Sequence, residues 1–240
     1  MAKIHMVLQG KGGVGKSMVA SVIAQYLTTP EGLPLCIDTD PVNATFTGYE
    51  ALDVKRLNIM EGKKIDPRKF DAMIEMVAEE NRDIVIDNGA STFVPLSNYL
   101  ITNQVPALLQ EMGHEIVVHT VITGGQALLD TISGFSQLLG QYPEECQFVA
   151  WLNPYWGPIE HEGKKFEQMK AYTTNKGRLT AIIEVPALED DARVDFSEML
   201  QARRTFEEVL NSKEVSIMSR QRLKIAKRDL FAQMENAAVF

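Results

Sequence analysis

Cysteine is nearly absent: Cys36 and Cys146 stand alone in 240 residues, far apart and without metal-ligand spacing. That excludes a disulfide framework and a zinc site, and leaves both as small buried hydrophobes. Histidine is scarce too, at four, and His161-Glu162-Gly163 lacks the second histidine of a zinc-binding helix, so it reads as a helix opening. No apolar run approaches the roughly 20 residues of a membrane helix. The N-terminus enters a strand at once without a signal-peptide pattern, so the expected compartment is the cytoplasm. Basic residues do not dominate, since 24 Lys and Arg against 32 Asp and Glu leave a net charge of -8. A surface given over wholly to nucleic acid is therefore excluded, while a local basic patch is not. Internal repeats and low-complexity tracts are missing as well.

What is present is an alternation of short apolar runs with longer helical patterns. The runs cover residues 4–8, 35–37, 84–86, 116–122, 148–152 and 179–185, and the helical patterns 17–28, 67–80, 125–139, 161–172 and 196–210. Short apolar strands alternating with helices signify βαβ units and a parallel sheet. Near-continuous hydrophobicity within each run fits a sheet covered on both faces. The expected fold is α/β, doubly wound, with a mostly parallel sheet and helices on both faces. Residues 1–240 suffice for one such domain, with 217–240 a C-terminal helical tail.

The most informative stretch joins the first strand to the first helix: Gly10-Lys11-Gly12-Gly13-Val14-Gly15-Lys16-Ser17, fitting G-x-x-x-x-G-K-[ST]. In this motif, the phosphate loop of P-loop nucleoside triphosphatases, glycines let backbone N–H groups curl around phosphate oxygens. The helix N-terminus adds its dipole, the lysine reaches the β- and γ-phosphates and the hydroxyl holds Mg²⁺. The expected nucleotide-contacting set is Gly10, Lys11, Gly12, Gly13, Val14, Gly15, Lys16, Ser17 and Met18, and the expected cofactors are ATP and Mg²⁺. Two further strands end in carboxylates where ligands of such sheets sit. Asp38-Thr39-Asp40-Pro41 places two at i and i+2, one able to face a metal and the other a γ-phosphate; Asp87 closes the run Ile84-Val85-Ile86 and leads into Asn88-Gly89-Ala90-Ser91.

Lys11 is not required by the general motif. With it, the loop resembles the deviant Walker A family of partition and cell-division ATPases, the ParA and MinD kind, whose second motif is an apolar strand ending in Asp-x-Asp-Pro. The resemblance implies that Lys11 crosses to the nucleotide of a second subunit, giving an ATP-dependent homodimer. It implies that Asp38 holds a Mg²⁺-bound water, that Asp40 orients or deprotonates the attacking water, and that Ser17 and Asp87 serve the metal, with residues 88–91 as the γ-phosphate switch. Asn153 would read the base, or else form an Asx turn before Pro154, and Pro186 would line the base pocket. Hydrolysis would be slow, with Lys11, Lys16 and Asp40 as its catalytic residues. The cluster cysteines of nitrogenase iron protein, which shares the loop, have no counterparts here. Where the family follows Asp-Pro with Gln or another polar residue, this chain has Val42.

That substitution belongs to a second resemblance, to proteins encoded in plasmid conjugative-transfer regions. It is carried by Met1-Ala2-Lys3-Ile4-His5, by Ile37-Asp38-Thr39-Asp40-Pro41-Val42-Asn43-Ala44-Thr45 and by Trp151-Leu152-Asn153-Pro154-Tyr155-Trp156-Gly157-Pro158. It implies a role in plasmid DNA transfer with a protein partner there, and leaves direct DNA contact open. Partition or positioning ATPases, and a nucleotide-binding scaffold without turnover, are the alternatives. The basic residues between 55 and 68 read as a solvated face or a contact surface, 57–59 as a short edge strand, and 93–109 as short helices facing a partner or the core. His119, flanked by valines, reads as a hydrogen-bonded core residue. Leu223, Ala226, Leu230 and Met234 recur at helical spacing in the tail. A membrane-binding helix of the MinD type is compatible with them, but Asp229 and Glu235 dilute its charge, and packing on the domain or a partner is the preferred reading.

Overall fold

The structure, a computed structural model, describes residues 2–240. All six apolar runs form strands of one sheet, and a seventh strand extends its edge. In chain order the elements are β1 (Lys3–Val7), α1 (Lys16–Leu27), β2 (Leu35–Asp38), β3 (Lys55–Arg56), β4 (Met60–Glu61), β5 (Lys64–Ile65), α2 (Asp71–Ala78), β6 (Ile84–Asp87), α3 (Phe93–Thr102), α4 (Val105–Glu111), β7 (Glu115–Thr123), α5 (Leu128–Gln141), β8 (Gln147–Asn153), β9 (Glu160–His161), β10 (Lys164–Lys165), α6 (Lys170–Asn175), β11 (Ala181–Glu184), α7 (Asp190–Gln201), α8 (Phe206–Leu210) and α9 (Ile217–Ala237). The sheet runs β11-β8-β7-β1-β6-β2-β3, with every neighbouring pair parallel.

Strand side chains alternate between two cores. Ile4, Met6, Ile84, Ile86, Ile116 and Val118 face one layer, covered by α2, α3, α4 and α5 through Met73, Leu96, Leu109 and Phe135. Val7, Val85, Val117, Val121, Val149 and Trp151 face the other, covered by α1, α7, α8 and α9 through Val22, Met199, Phe206 and Leu230. The chain leaves β1 toward β2 on one side and returns through β6 to β7 on the other, so the order reverses around β1. Ligands of open α/β sheets bind at such a reversal, beyond the carboxyl ends of the strands.

Three expectations are corrected. Residues 161–172 do not begin as a helix: Glu160–His161 and Lys164–Lys165 pair as an antiparallel hairpin. Its turn residues, Glu162 at φ 50 and Gly163 at φ 73, are in the left-handed region that two-residue hairpin turns require. The pattern over 196–210 is two helices, α7 ending near Arg203 at φ 52 and α8 starting afresh from a capping box. There Thr205 Oγ1 accepts from the Glu208 N–H and Glu208 Oε2 accepts from the Thr205 N–H at 2.7 Å. The edge strand is at 55–56, and Leu57 and Ile59 are buried loop residues beside it.

Both cysteines are buried and free. The α9 stripe Leu223, Ala226, Leu230 and Met234 is buried on the domain, so this apolar face is already covered. Among the described residues no helix is long and apolar enough to cross a membrane.

Candidate nucleotide site at the carboxyl edge of the sheet

Val7, Asp87 and Asp38 lie level at the carboxyl ends of adjacent strands, because Val7 registers with Asp87 and Asp87 with Asp38. The loop leaving β1 turns over them. Gly13 at φ 73 and Gly15 at φ 104 supply left-handed backbone that other residues rarely adopt. Gly15 is also the N-cap of α1, and no side chain caps that helix. The N–H groups of its first turn are therefore available to an anion, in line with the helix dipole.

Lys16 and Ser17 open α1, and Lys16 folds back so that Nζ donates to the Lys11 carbonyl at 2.7 Å. Burial lowers the Lys16 pKa, against the opposing pull of Asp87 and Asp40. Asp87 is fully enclosed and its Oδ1 has no hydrogen-bond partner. Burial raises its pKa to about 7, opposed by hydrogen bonding from Ser17, reinforced by Asp38, opposed by Lys16 and reinforced by Asp40. The pocket floor thus pairs a poorly solvated ammonium with a poorly solvated carboxylate, both of which gain from a bound ion of opposite sign.

Asp38 is buried and its oxygens are engaged within its own loop. Oδ1 accepts from the Asp40 N–H at 2.9 Å, and Oδ2 accepts from the Thr47 N–H at 2.9 Å and hydroxyl at 3.0 Å. It anchors residues 39–47. Asp40 Oδ1 accepts from the N–H groups of Val42 and Asn43, and its carboxyl lies so close to Gly89 that a Cβ there would sit 2.6 Å from Asp40 Cγ. The segment after β6 is therefore packed on the Asp40 loop and reaches the phosphate loop too, Ala90 being 3.9 Å from a Cβ built on Gly12. Gly10 lies under Phe93, and Val14 is buried.

A cavity of about 590 Å³ adjoins the loop, walled by Gly13, Met18, Asn153, Trp156, Pro186 and Phe196 among others. Asn153 Nδ2 donates to the Val14 carbonyl at 3.0 Å, and its Oδ1 accepts from the Tyr155 N–H at 3.2 Å. Its amide thus ties the phosphate loop and makes the Asx turn, and the residue lines the cavity.

Lys11 reaches across the site to Asp130 in the first turn of α5, Nζ to Oδ2 2.6 Å. Its N–H also donates to Gln9 Oε1 at 3.4 Å, and Gln9 Nε2 donates to the carbonyls of Val121 and Thr131. Gln9 and Asp130 carry no motif signature, and Trp156 reads from sequence as a cover for the strand end. Gln9 had a usable signal, a polar residue between a buried strand and the first glycine. Asp130 had none, as it lies 119 residues from its partner.

His119 is outside this site. Trp151 Nε1 donates to its Nδ1 at 3.0 Å, which leaves Nε2 to carry the proton toward His5 Nδ1 at 2.9 Å. Phe240 stacks over both imidazoles, so the pair is core. Among the described residues no group of three or more His, Cys, Asp or Glu forms a metal cage. That is compatible with Mg²⁺, which binds through one or two protein oxygens, phosphate oxygens and water.

No family model matches the chain. It is 70% identical over 240 residues to a protein TraL of Escherichia coli and 66% identical over 240 residues to another, all of each chain being covered. Among solved structures, it shares its fold with a putative plasmid partition protein of Borrelia burgdorferi B31 bound to AMPPNP. The TM-score is 0.51 at 14% identity, covering 98% of this chain and 99% of that one.

Proposed function

The chain belongs to the TraL family, and from that premise, joined to its P-loop NTPase fold, we propose an ATPase that binds Mg-ATP, hydrolyses it slowly and dimerises on it, acting in conjugative plasmid DNA transfer. The observation that carries this reading is the uncapped start of α1 behind Gly13 and Gly15, at the point where the sheet order reverses.

In this reading the N–H groups between Gly12 and Met18 surround the phosphates. Lys16 leaves the Lys11 carbonyl for phosphate oxygens, exchanging a neutral partner for a charged one. Ser17 and the unpartnered Oδ1 of Asp87 are hard oxygen donors suited to Mg²⁺, with Asp38 adding charge behind them. When bound, that ion neutralises charge on the β- and γ-phosphates. Asp40, held against Gly89, orients the attacking water. Lys11 exchanges Asp130 for the partner subunit's nucleotide, and exposed charge pairs of this kind are weak enough for that exchange. Asn153 and Pro186 border the base.

Phosphate release measured on wild type and Asp40→Ala tests the hydrolytic part. Turnover above background in wild type and background release in the variant are expected. Background rates in both would leave a nucleotide-binding scaffold without turnover.

A further inference from the structure

Trp156 is one of two tryptophans in the chain, and the residue is 58% exposed at the rim of the phosphate loop. An indole that merely covered a strand end would leave its N–H to water. Here Nε1 donates to the Gly13 carbonyl at 3.1 Å. A peptide unit is planar and its C=O and N–H point in opposite directions, so fixing one carbonyl aims the next amide. A loop that turns its amides inward turns its carbonyls outward, where a side-chain donor can fix them in place of water.

Two carbonyls of this loop are held from outside it by side chains: Val14 by Asn153 Nδ2 and Gly13 by Trp156 Nε1. Trp156, which reads from sequence as a cover for the strand end, is the donor to Gly13. Its place is set from below by Gly124 and Gly125 at the carboxyl end of β7. A Cβ on Gly124 would collide with the Gly157 carbonyl oxygen and come within 2.5 Å of that of Pro158, and one on Gly125 would lie 2.8 Å from the Trp156 carbonyl oxygen. The two glycines let the segment carrying Trp156 settle against the sheet edge. The ring then walls the cavity beside Gly13 and meets Tyr155 edge to face at 4.8 Å.

We propose that Trp156 is a positioning residue for nucleotide: its indole N–H holds the Gly13 carbonyl outward and thereby aims the Val14 N–H into the phosphate cradle. The inference rests on reading the loop as a nucleotide site. It is tested by titrating wild type, Trp156→Phe and Trp156→His with Mg-ATP in a calorimeter, with urea midpoints recorded for all three. Phenylalanine keeps a ring and removes the donor, whereas histidine restores a ring N–H. Loss of one neutral hydrogen bond is expected to weaken binding by roughly 3- to 10-fold in Trp156→Phe, with cooperative urea unfolding retained in all three proteins and part of the affinity recovered in Trp156→His. Wild-type tryptophan emission is expected to shift on nucleotide addition and to stay constant in Trp156→Phe, since Trp151 is fully buried in the core. Equal affinity in wild type and Trp156→Phe, or no recovery in Trp156→His, overturns the assignment while leaving the nucleotide site intact. Absence of any uptake by folded wild type removes the site itself and the role of Trp156 with it.

Discussion

Gly13 and Gly15 both lie at positive φ, yet a methyl group would meet different surroundings at each. Nothing lies within 4 Å of a Cβ on Gly13, so alanine there carries only the left-handed backbone cost, about 1 kcal/mol. At Gly15 the same atom would fall 2.8 Å from Asn153 Nδ2, at φ 104, and would push away the donor that holds the Val14 carbonyl. Gly15→Ala is expected to destabilise the fold by about 2 kcal/mol, roughly twice the effect of Gly13→Ala, in urea unfolding. Equal midpoints for the two variants would show that Asn153 yields freely. These glycines were legible because the motif states a backbone requirement in local spacing. The donors that complete the loop were less so: Asn153 and Trp156 meet Val14 and Gly13 across 139 and 143 residues, a distance over which side-chain pairing leaves no local pattern.

At the scale of elements, the strands were readable because each is an apolar run buried on both faces, and β6 is buried at every position. The 160–165 hairpin was not. Phe166, Met169 and Tyr172 recur every three residues and imitate a helix, while two exposed strands of two residues each have no periodicity to offer. The C-terminal segment shows an element acting through its end: Phe240 covers His5 and His119, and Lys3 Nζ donates to the carbonyls of Val239 and Phe240. Burial, assisted by Lys3, lowers the His5 pKa to about 3, and burial with His5 lowers that of His119 well below its ordinary value. Below the unfolded value near 6.5 the unfolded chain takes up protons that the folded chain refuses. The contribution of these histidines is therefore complete above pH 6.5 and is lost as pH falls toward 3. Asp87, raised to about 7, acts with the opposite sign between 3.8 and 7. The net acid slope of wild type is then about 1.4 kcal/mol per pH unit, and replacing His5 by Gln should flatten it. Urea titrations from pH 7 to 4.5 check this, and an unchanged slope in His5→Gln would mean that the pair protonates in the folded state.

Over the whole molecule, five of the eleven large apolar side chains left exposed among the described residues gather at one end of the sheet. Val42, Val94, Leu129, Tyr155 and Trp156 follow the carboxyl ends of β2, β6, β7 and β8, around the phosphate loop, and Val42 is 73% exposed. An apolar ring about a charged centre suits a surface that closes on another protein. It also gives a physical reason for a valine where the ParA and MinD kind carries a polar residue. Such closure would bring two nucleotides near each other and give Lys11 a phosphate in place of Asp130. Light scattering after size exclusion, on Asp40→Ala with and without saturating Mg-ATP, tests this most directly, because blocked hydrolysis should trap the paired state. The mass is expected to double with nucleotide and return to that of one chain when Lys11 is also replaced by Ala. A mass that stays at one chain while calorimetry records full uptake of ATP would contradict it.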